Sequence, residues 1–177
     1  PNMLYAKEFG DAGYRTFMGT GVGGYGNRRY MVYAAANDGM LHAFDAGRYV
    51  NGAFTPRAPG ALGDELWAYT PFNLLPHLQW LAASDYPHVP MFDGFLRHFD
   101  VKINNQWRTI LVAGLGMGGG DYPINHDGNA GIDFTTRSSY VVLDVTDPEQ
   151  PPSFIAEISH RDLGFATAEP DVVRFQD

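Results

Sequence analysis

Asn125, Asp127, Asn129 and Asp133 stand at relative positions one, three, five and nine of one short segment, and each carries a side-chain oxygen. That spacing lets a curled loop aim alternate side chains at a common point, which is how loops bind a hard cation such as Ca²⁺. The set departs from the full twelve-residue pattern. Position six is Ala130 instead of glycine, position twelve is Thr136 instead of an acid, and only two of the four residues bear charge. The same composition also suits a turn-rich loop whose Asn and Asp side chains bond nearby backbone N–H groups. The residues themselves leave both readings open.

Other chemistry is thinly represented. The run Gly114-Leu-Gly-Met-Gly-Gly-Gly120 lacks the following helix and the Lys-Ser or Lys-Thr of a phosphate-binding loop, so it reads as a turn that lets backbones approach at the end of a buried strand. His42, His77, His88, His98, His126 and His160 are scattered, with no His-x-x-x-His pair to suggest a transition-metal site. No Gly-x-Ser-x-Gly elbow and no closely spaced catalytic carboxylate pair is present, so no catalytic residue is assigned. Absence of cysteine excludes disulfides and thiolate metal sites within these 177 residues. A formal net charge of −8, with Arg28-Arg29 the only adjacent basic pair, argues against a nucleic-acid partner. No apolar run approaches the ~18 residues of a membrane span, and no signal peptide is visible.

The elements that would position such a loop are strands. Tyr30 to Ala46 reads as an apolar strand, a reversal at Asn37-Asp38-Gly39 and a second alternating strand ending in Asp45, with Glu65 to Tyr69 as a further strand. Asp38-Gly39 is expected to supply the two positive-φ residues of a two-residue hairpin turn. The order then repeats. Phe95 to Ile103 alternates, Asn104-Asn105 reverses the chain, Trp107 to Gly114 is a near-continuous apolar strand, and Tyr140 to Asp144 and Phe154 to Ile158 follow. Leu41 to Asp45 thus matches Tyr140 to Asp144, and Glu65 to Tyr69 matches Phe154 to Ile158. Four antiparallel strands per unit is the repeat of a β-propeller blade.

The expected fold is therefore all-β, a partial β-propeller of about two four-stranded antiparallel blades within a larger propeller. Blade one covers about residues 14–70, with Tyr14 to Met18 as its innermost strand. A connecting segment covers 71–94, blade two about 95–160, and a third unit opens at about 167–177 with Asp171 to Phe175. Because propellers close through ~4–8 blades, the chain reads as a piece of a longer propeller-bearing protein. Pro71 to Ala83 has Leu74, Leu78 and Leu81 at helical spacing. It is expected to form a short helix in the inter-blade connection, with Pro76 at the start of a turn and not inside one. Gly47 to Gly63 reads as a long surface loop, Trp67 and Trp107 as packing residues between blades, and Asp45 and Asp144 as strand-end residues that bond turn N–H groups.

Several phrases together carry a family resemblance: Val32 to Asp45 with its Asn-Asp-Gly-Met-Leu-His-Ala-Phe, Glu65-Leu-Trp-Ala-Tyr-Thr-Pro71, Phe92-Asp-Gly94, Trp107 to Gly116, and Tyr140-Val-Val-Leu-Asp-Val-Thr-Asp-Pro148. In this order they resemble the C-terminal propeller of the PilY-type type IV pilus biogenesis proteins. The resemblance implies a large secreted or cell-surface protein of a Gram-negative bacterium, with its propeller at or near the pilus tip, aiding pilus assembly, retraction balance and adhesion. It implies minor pilins, the remaining blades of the same protein and a host or surface ligand as partners. Members of that family place calcium in an Asp/Asn-rich loop of the propeller, and the insertion Asp121 to Arg137 is wider here than in many of them. Two other classes compete. Ala43-Phe-Asp45, Gly63 and Trp67 loosely resemble the blades of pyrroloquinoline-quinone dehydrogenases, but the convergent acid and cation set and a vicinal cysteine pair are missing. A structural envelope scaffold has no positive mark in the sequence.

Overall fold

The computed structural model describes residue 7, residues 10–129 and residues 131–173. Alternating apolar runs form strands in chain order: β1 (Tyr30–Ala35), β2 (Leu41–Val50), β3 (Ala53–Thr55), β4 (Glu65–Tyr69), β5 (Leu96–Ile103), β6 (Gln106–Gly114), β7 (Tyr122–Ile124), β8 (Phe134–Thr136), β9 (Tyr140–Asp144) and β10 (Ser153–Ile158). A short helix, α1 (Ala12–Phe17), precedes β1, and a 3₁₀ segment, Phe72–Ala82, separates β4 from β5. Two four-stranded antiparallel sheets result. The second is a simple ladder in the order β10-β9-β6-β5; in the first, β2 pairs with β1, β3 and β4. The all-β, propeller-like reading holds.

The internal repeat extends to a shared irregularity. In the first sheet Leu41 faces Tyr69, Ala43 faces Trp67 and Phe44 faces Glu65, so Leu66 is bulged out of register. In the second, Tyr140 faces Ile158, Val142 faces Ala156 and Leu143 faces Phe154, which bulges Ile155 at the corresponding place. An added residue of this kind bends a strand and increases its twist. Strands β4 and β10 are therefore curved by the same device.

Between the sheets lies the core. Leu41 from the first belongs to one buried cluster with Leu111, Ala113, Val141 and Leu143 from the second and with Leu74, Met91 and Phe92 of the connecting segment. Trp67 packs against this cluster, as expected of an inter-sheet residue. Trp107 does not: its ring lies 4.6 Å from that of Tyr14, and its Nε1 donates to Asp11 at 3.2 Å, so it supports α1.

Four local expectations are corrected. Tyr14 to Met18 is not a strand but lies on and just after α1, because Asp11 caps the helix by accepting from the Tyr14 N–H at 3.0 Å. Tyr14 and Phe17 then share the buried helix face. The fourth strand of the first sheet is instead β3, which pairs Arg48 with Thr55 and Val50 with Ala53 inside the stretch read as a surface loop. Its turn, Asn51-Gly52, has both residues at positive φ. The Asn37-Asp38-Gly39 reversal is a three-residue loop, closed by Gly39 N–H to Ala36 C=O at 3.2 Å and Ala36 N–H to Met40 C=O at 3.0 Å, with Gly39 alone at positive φ. Finally, Pro76 sits inside the 3₁₀ segment, where a run of short i→i+3 turns tolerates an N–H missing between one turn and the next. Asn104-Asn105 does form the expected tight hairpin, with both residues at positive φ. Of the expected third unit, residues 171–173 form no strand and 174–177 lie outside the described residues.

One carboxylate ties the connecting segment to the second sheet. Glu157 of β10 accepts from the Phe72 and Asn73 backbone N–H groups, both at 3.0 Å, from Asn73 Nδ2 at 2.8 Å and from Ser139 Oγ at 2.9 Å. It thereby caps the open end of the 3₁₀ segment with charge-assisted bonds.

Candidate functional site

The oxygen-rich loop is the tip of the β7–β8 hairpin. Tyr122 pairs with Thr136 and Ile124 with Phe134, which leaves residues 125–133 as the turn. The hairpin is seated on the 3₁₀ segment: the Phe134 and Phe72 rings are 5.3 Å apart, Gln79 Nε2 donates to the Tyr122 hydroxyl at 3.1 Å, and the Arg137 N–H donates to Asn73 Oδ1 at 2.8 Å. A solvent-exposed loop thus stands on a braced base.

Within it the structure brings Asn125, Asp127 and Asn129 together. Asn125 Oδ1 accepts from the Gly128 N–H at 2.8 Å while its Nδ2 donates to the Asn129 carbonyl. Asp127 accepts from the Asn129 N–H at 2.9 Å and from Asn129 Nδ2 at 2.6 Å. Asp133 sits across the loop and accepts from the His126 N–H at 2.7 Å, with His126 Nδ1 at 2.5 Å from the same oxygen. Backbone donation from Asn129 followed by its side chain holds the Asp127 carboxyl below the usual carboxylate range, and the His126 N–H and ring do the same for Asp133. Both acids are therefore ionised at neutral pH. Among the described residues no three His, Cys, Asp or Glu side chains gather as a metal site; the loop's donor set is two carboxylates and two amides. Such hard oxygen donors match Ca²⁺ or a similar ion and not a thiophilic metal.

The glycine run behaves as a close-approach turn. A Cβ on Gly118 would lie 1.6 Å from the Met91 carbonyl oxygen, and one on Gly94 would lie 2.2 Å from that of Gly114. Asp93 accepts from the Met117 N–H at 2.9 Å, which fixes the turn against the segment leading into β5.

Sequence reasoning missed the polar groups that join the sheets. Arg29 is buried and donates to Asp45 of its own sheet, to Glu149 of the β9–β10 loop at 3.0 Å and to the Pro59 carbonyl at 3.1 Å. Arg57 reaches the same Glu149 at 3.3 Å. Beside it Arg28 donates to Thr109 Oγ1 at 2.7 Å, and the Thr109 and Tyr14 hydroxyls donate to Asp100 at 2.6 and 2.7 Å. The one adjacent basic pair in the chain was the available signal. Asp45 and Asp144 do bond turn N–H groups, those of Gly47 and Thr146 at 2.6 and 3.0 Å. Each also holds an arginine, Arg29 and Arg108. Burial works to raise the Asp144 carboxyl, but the Thr146 hydroxyl and Arg108 guanidinium outweigh it and the net direction is down. His42 lies between Asp38 and Glu65, at 2.9 and 3.2 Å.

His77 is buried beneath Tyr122, and its Nε2 has no hydrogen-bond partner among the described residues. Burial lowers its pKa from the ordinary 6.5, against a weaker opposing effect from Gly120. A base whose folded pKa is depressed binds fewer protons folded than unfolded between the two values, so stability there rises with pH. The chain is expected to keep its full stability above pH 6.5 and to lose part of it as pH falls from 6.5 toward the lowered value. Urea midpoints across pH 5 to 8 check this, and His77→Gln should flatten the slope near pH 6.

Two antiparallel sheets joined in tandem, each with the same strand bulge and the same Arg–Asp pair, define a propeller-type repeat protein that carries an oxygen-rich surface loop. No family model and no solved structure matches the chain. Curated proteins do. The chain is 31% identical over 150 residues to a type IV pilus biogenesis factor PilY1 homolog of Xylella fastidiosa, covering 82% of this chain and 8% of that protein. To a PilY1 homolog of the same organism it is 38% identical over 96 residues, covering 52% and 7%. To type IV pilus biogenesis factor PilY1 of Pseudomonas aeruginosa it is 27% identical over 180 residues, covering 93% and 13%. The chain belongs to the PilY-type family, and it spans only a small part of the length of these relatives.

Proposed function

We propose that this chain is part of the propeller of a type IV pilus biogenesis protein, a non-enzymatic module for pilus assembly and adhesion at the surface of a Gram-negative bacterium. The observation that carries the reading is the similarity to PilY1 homologs along 82% of the chain. Its partners on this reading are minor pilins, the other blades of the same protein and a host or surface ligand. No helix among the described residues is long and apolar enough to cross a membrane. Deleting residues 30–158 from the full-length protein in a piliated strain should abolish or sharply reduce surface pili counted by electron microscopy. Unchanged pilus number and unchanged surface attachment would sink the proposal.

The loop at the tip of the β7–β8 hairpin is assigned Ca²⁺ as its ligand, held by Asn125, Asp127, Asn129 and Asp133. Bound there, the ion would order the loop by replacing its internal hydrogen bonds. Two carboxylates make a weak site, in the ~10⁻⁴–10⁻³ M range of extracellular modules. Calorimetric titration of the full-length protein should show this binding heat, and Asp127→Ala or Asp133→Ala should remove it. Heat that survives Asp133→Ala would remove the loop from the account.

A further inference from the structure

The period of the 3₁₀ segment Phe72–Ala82 decides which of its side chains are covered. Because side chains at i and i+3 eclipse in such a helix, Leu74 and His77 share a buried row while Phe72, Leu75, Leu78 and Leu81 form a second row. That second row stays in solvent. Phe72 is 53%, Leu75 50% and Leu81 40% exposed, and Leu78 is partly covered where it leans on the turn at Gly39. The half-exposed Phe134 ring, 5.3 Å from that of Phe72, extends the row onto the β7–β8 hairpin. A contiguous apolar row of this kind, bordered by polar groups, marks an interaction surface, because covering it releases water from apolar side chains.

The borders of the row carry one sign of charge. No Lys or Arg occurs between Arg57 and Arg97 or between Arg108 and Arg137, the two stretches that hold the 3₁₀ segment and the hairpin, whereas Glu65, Asp85, Asp121, Asp127 and Asp133 fall within them. Asp121 adjoins Tyr122, the residue that Gln79 of the segment bonds, and is 73% exposed. Arg137 approaches it at 3.5 Å and also donates to the Thr135 carbonyl at 3.0 Å. On the other side, Asp38 stands beside Gly39, against which Leu78 lies, and is exposed. Such a rim attracts a cationic partner and repels an anionic one. Spacing along the row selects the partner's backbone. Three residues of 3₁₀ helix at ~2.0 Å each place successive members ~6 Å apart, which matches the ~6 Å between i and i+4 side chains of an α-helix. A strand, whose same-side residues recur every ~6.6–6.8 Å, falls out of step.

We propose that the row Phe72, Leu75, Leu78 and Leu81 docks an amphipathic α-helix of a separate polypeptide, whose apolar face lies along the row and whose flanking Lys or Arg residues meet the acidic rim. The assignment is independent of any role in pili.

The test uses the full-length protein and a fluorescent helical peptide of about 18 residues with leucine on one face and lysine on the other. Anisotropy should report saturable binding that weakens several-fold between about 0.05 and 0.5 M salt. Leu75→Ser combined with Leu81→Ser should weaken it about tenfold or more, since covering a leucine is worth at least a decade of affinity. Asp85→Lys combined with Asp121→Lys should also weaken it, and should bind the matching leucine–glutamate peptide better than the parent protein does. No saturable binding, binding unchanged by the paired serine substitutions, or binding unchanged by the paired lysine substitutions overturns the proposal. With any native cysteines removed, Leu75→Cys should react with a maleimide as fast as Asn105→Cys in the exposed β5–β6 turn. Protection of Leu75→Cys in the free protein would place another part of the same chain on the row, and self-association that Leu75→Ser abolishes would place a second copy there; either result overturns the separate cationic partner.

Discussion

Arg29→Ala is expected to destabilise the chain by about 3–5 kcal/mol, the cost of breaking a buried ion pair from one side. The reason is what it leaves behind. The Asp45 side chain is fully buried, and among the described residues its carboxylate would keep the Gly47 N–H, at 2.6 Å, while the Pro59 carbonyl and Glu149 would lose the Arg29 donor. Burial also shields the pair from salt, so the loss should persist at high ionic strength, unlike that of an exposed bridge. Arg29→Met combined with Asp45→Leu separates charge from packing: removing both charges should recover most of the loss. Urea midpoints of the single and double variants decide it. An Arg29→Ala midpoint within error of the parent would show that the bridge contributes nothing to holding the sheets.

Gly118→Ala is expected to cost about 3 kcal/mol or more, the upper range for forcing volume into a packed site. Its Cβ would fall 1.6 Å from the Met91 carbonyl oxygen and 2.4 Å from the attached carbon. Those are backbone atoms and cannot turn aside as a side chain can, so the turn after β6 would have to separate from the segment entering β5. Gly120→Ala is the control, since a Cβ there meets nothing within 4 Å. It should stay within about 0.5 kcal/mol of the parent. Thermal melts of the two variants give the comparison, and equal melting temperatures would refute the close-approach account of the glycine run.

Local pattern was legible where a local rule was sufficient. Alternation marked β2, where Leu41, Ala43, Asp45 and Gly47 are buried in turn, and Asn104-Asn105 marked a hairpin because asparagine tolerates the positive φ the turn needs. The same rules, applied more fully, find two elements that were missed. Asp11 three residues before Tyr14 is a helix N-cap signal, and Asn51-Gly52 is a hairpin signal that announces β3. Tyr14, Phe17 and Met18 fit helical spacing as well as they fit a short strand, and docking decides between them: the Tyr14 hydroxyl reaches Asp100 at 2.7 Å, 86 positions away.

The sequence by itself determined β1, β2, β4, β5, β6, β9 and β10, the duplication of the unit and the grouping of Asn125, Asp127, Asn129 and Asp133 in one segment, because periodicity and close spacing are properties of neighbouring residues. Only the tertiary structure decided what Arg29 binds, which face of each sheet is covered and that the loop stands on the 3₁₀ segment. Arg29 and Glu149 are 120 positions apart, and no local pattern specifies a pairing at that distance. It follows from sheet packing, in which burying apolar faces brings charged side chains out of water and leaves them stable only with a partner.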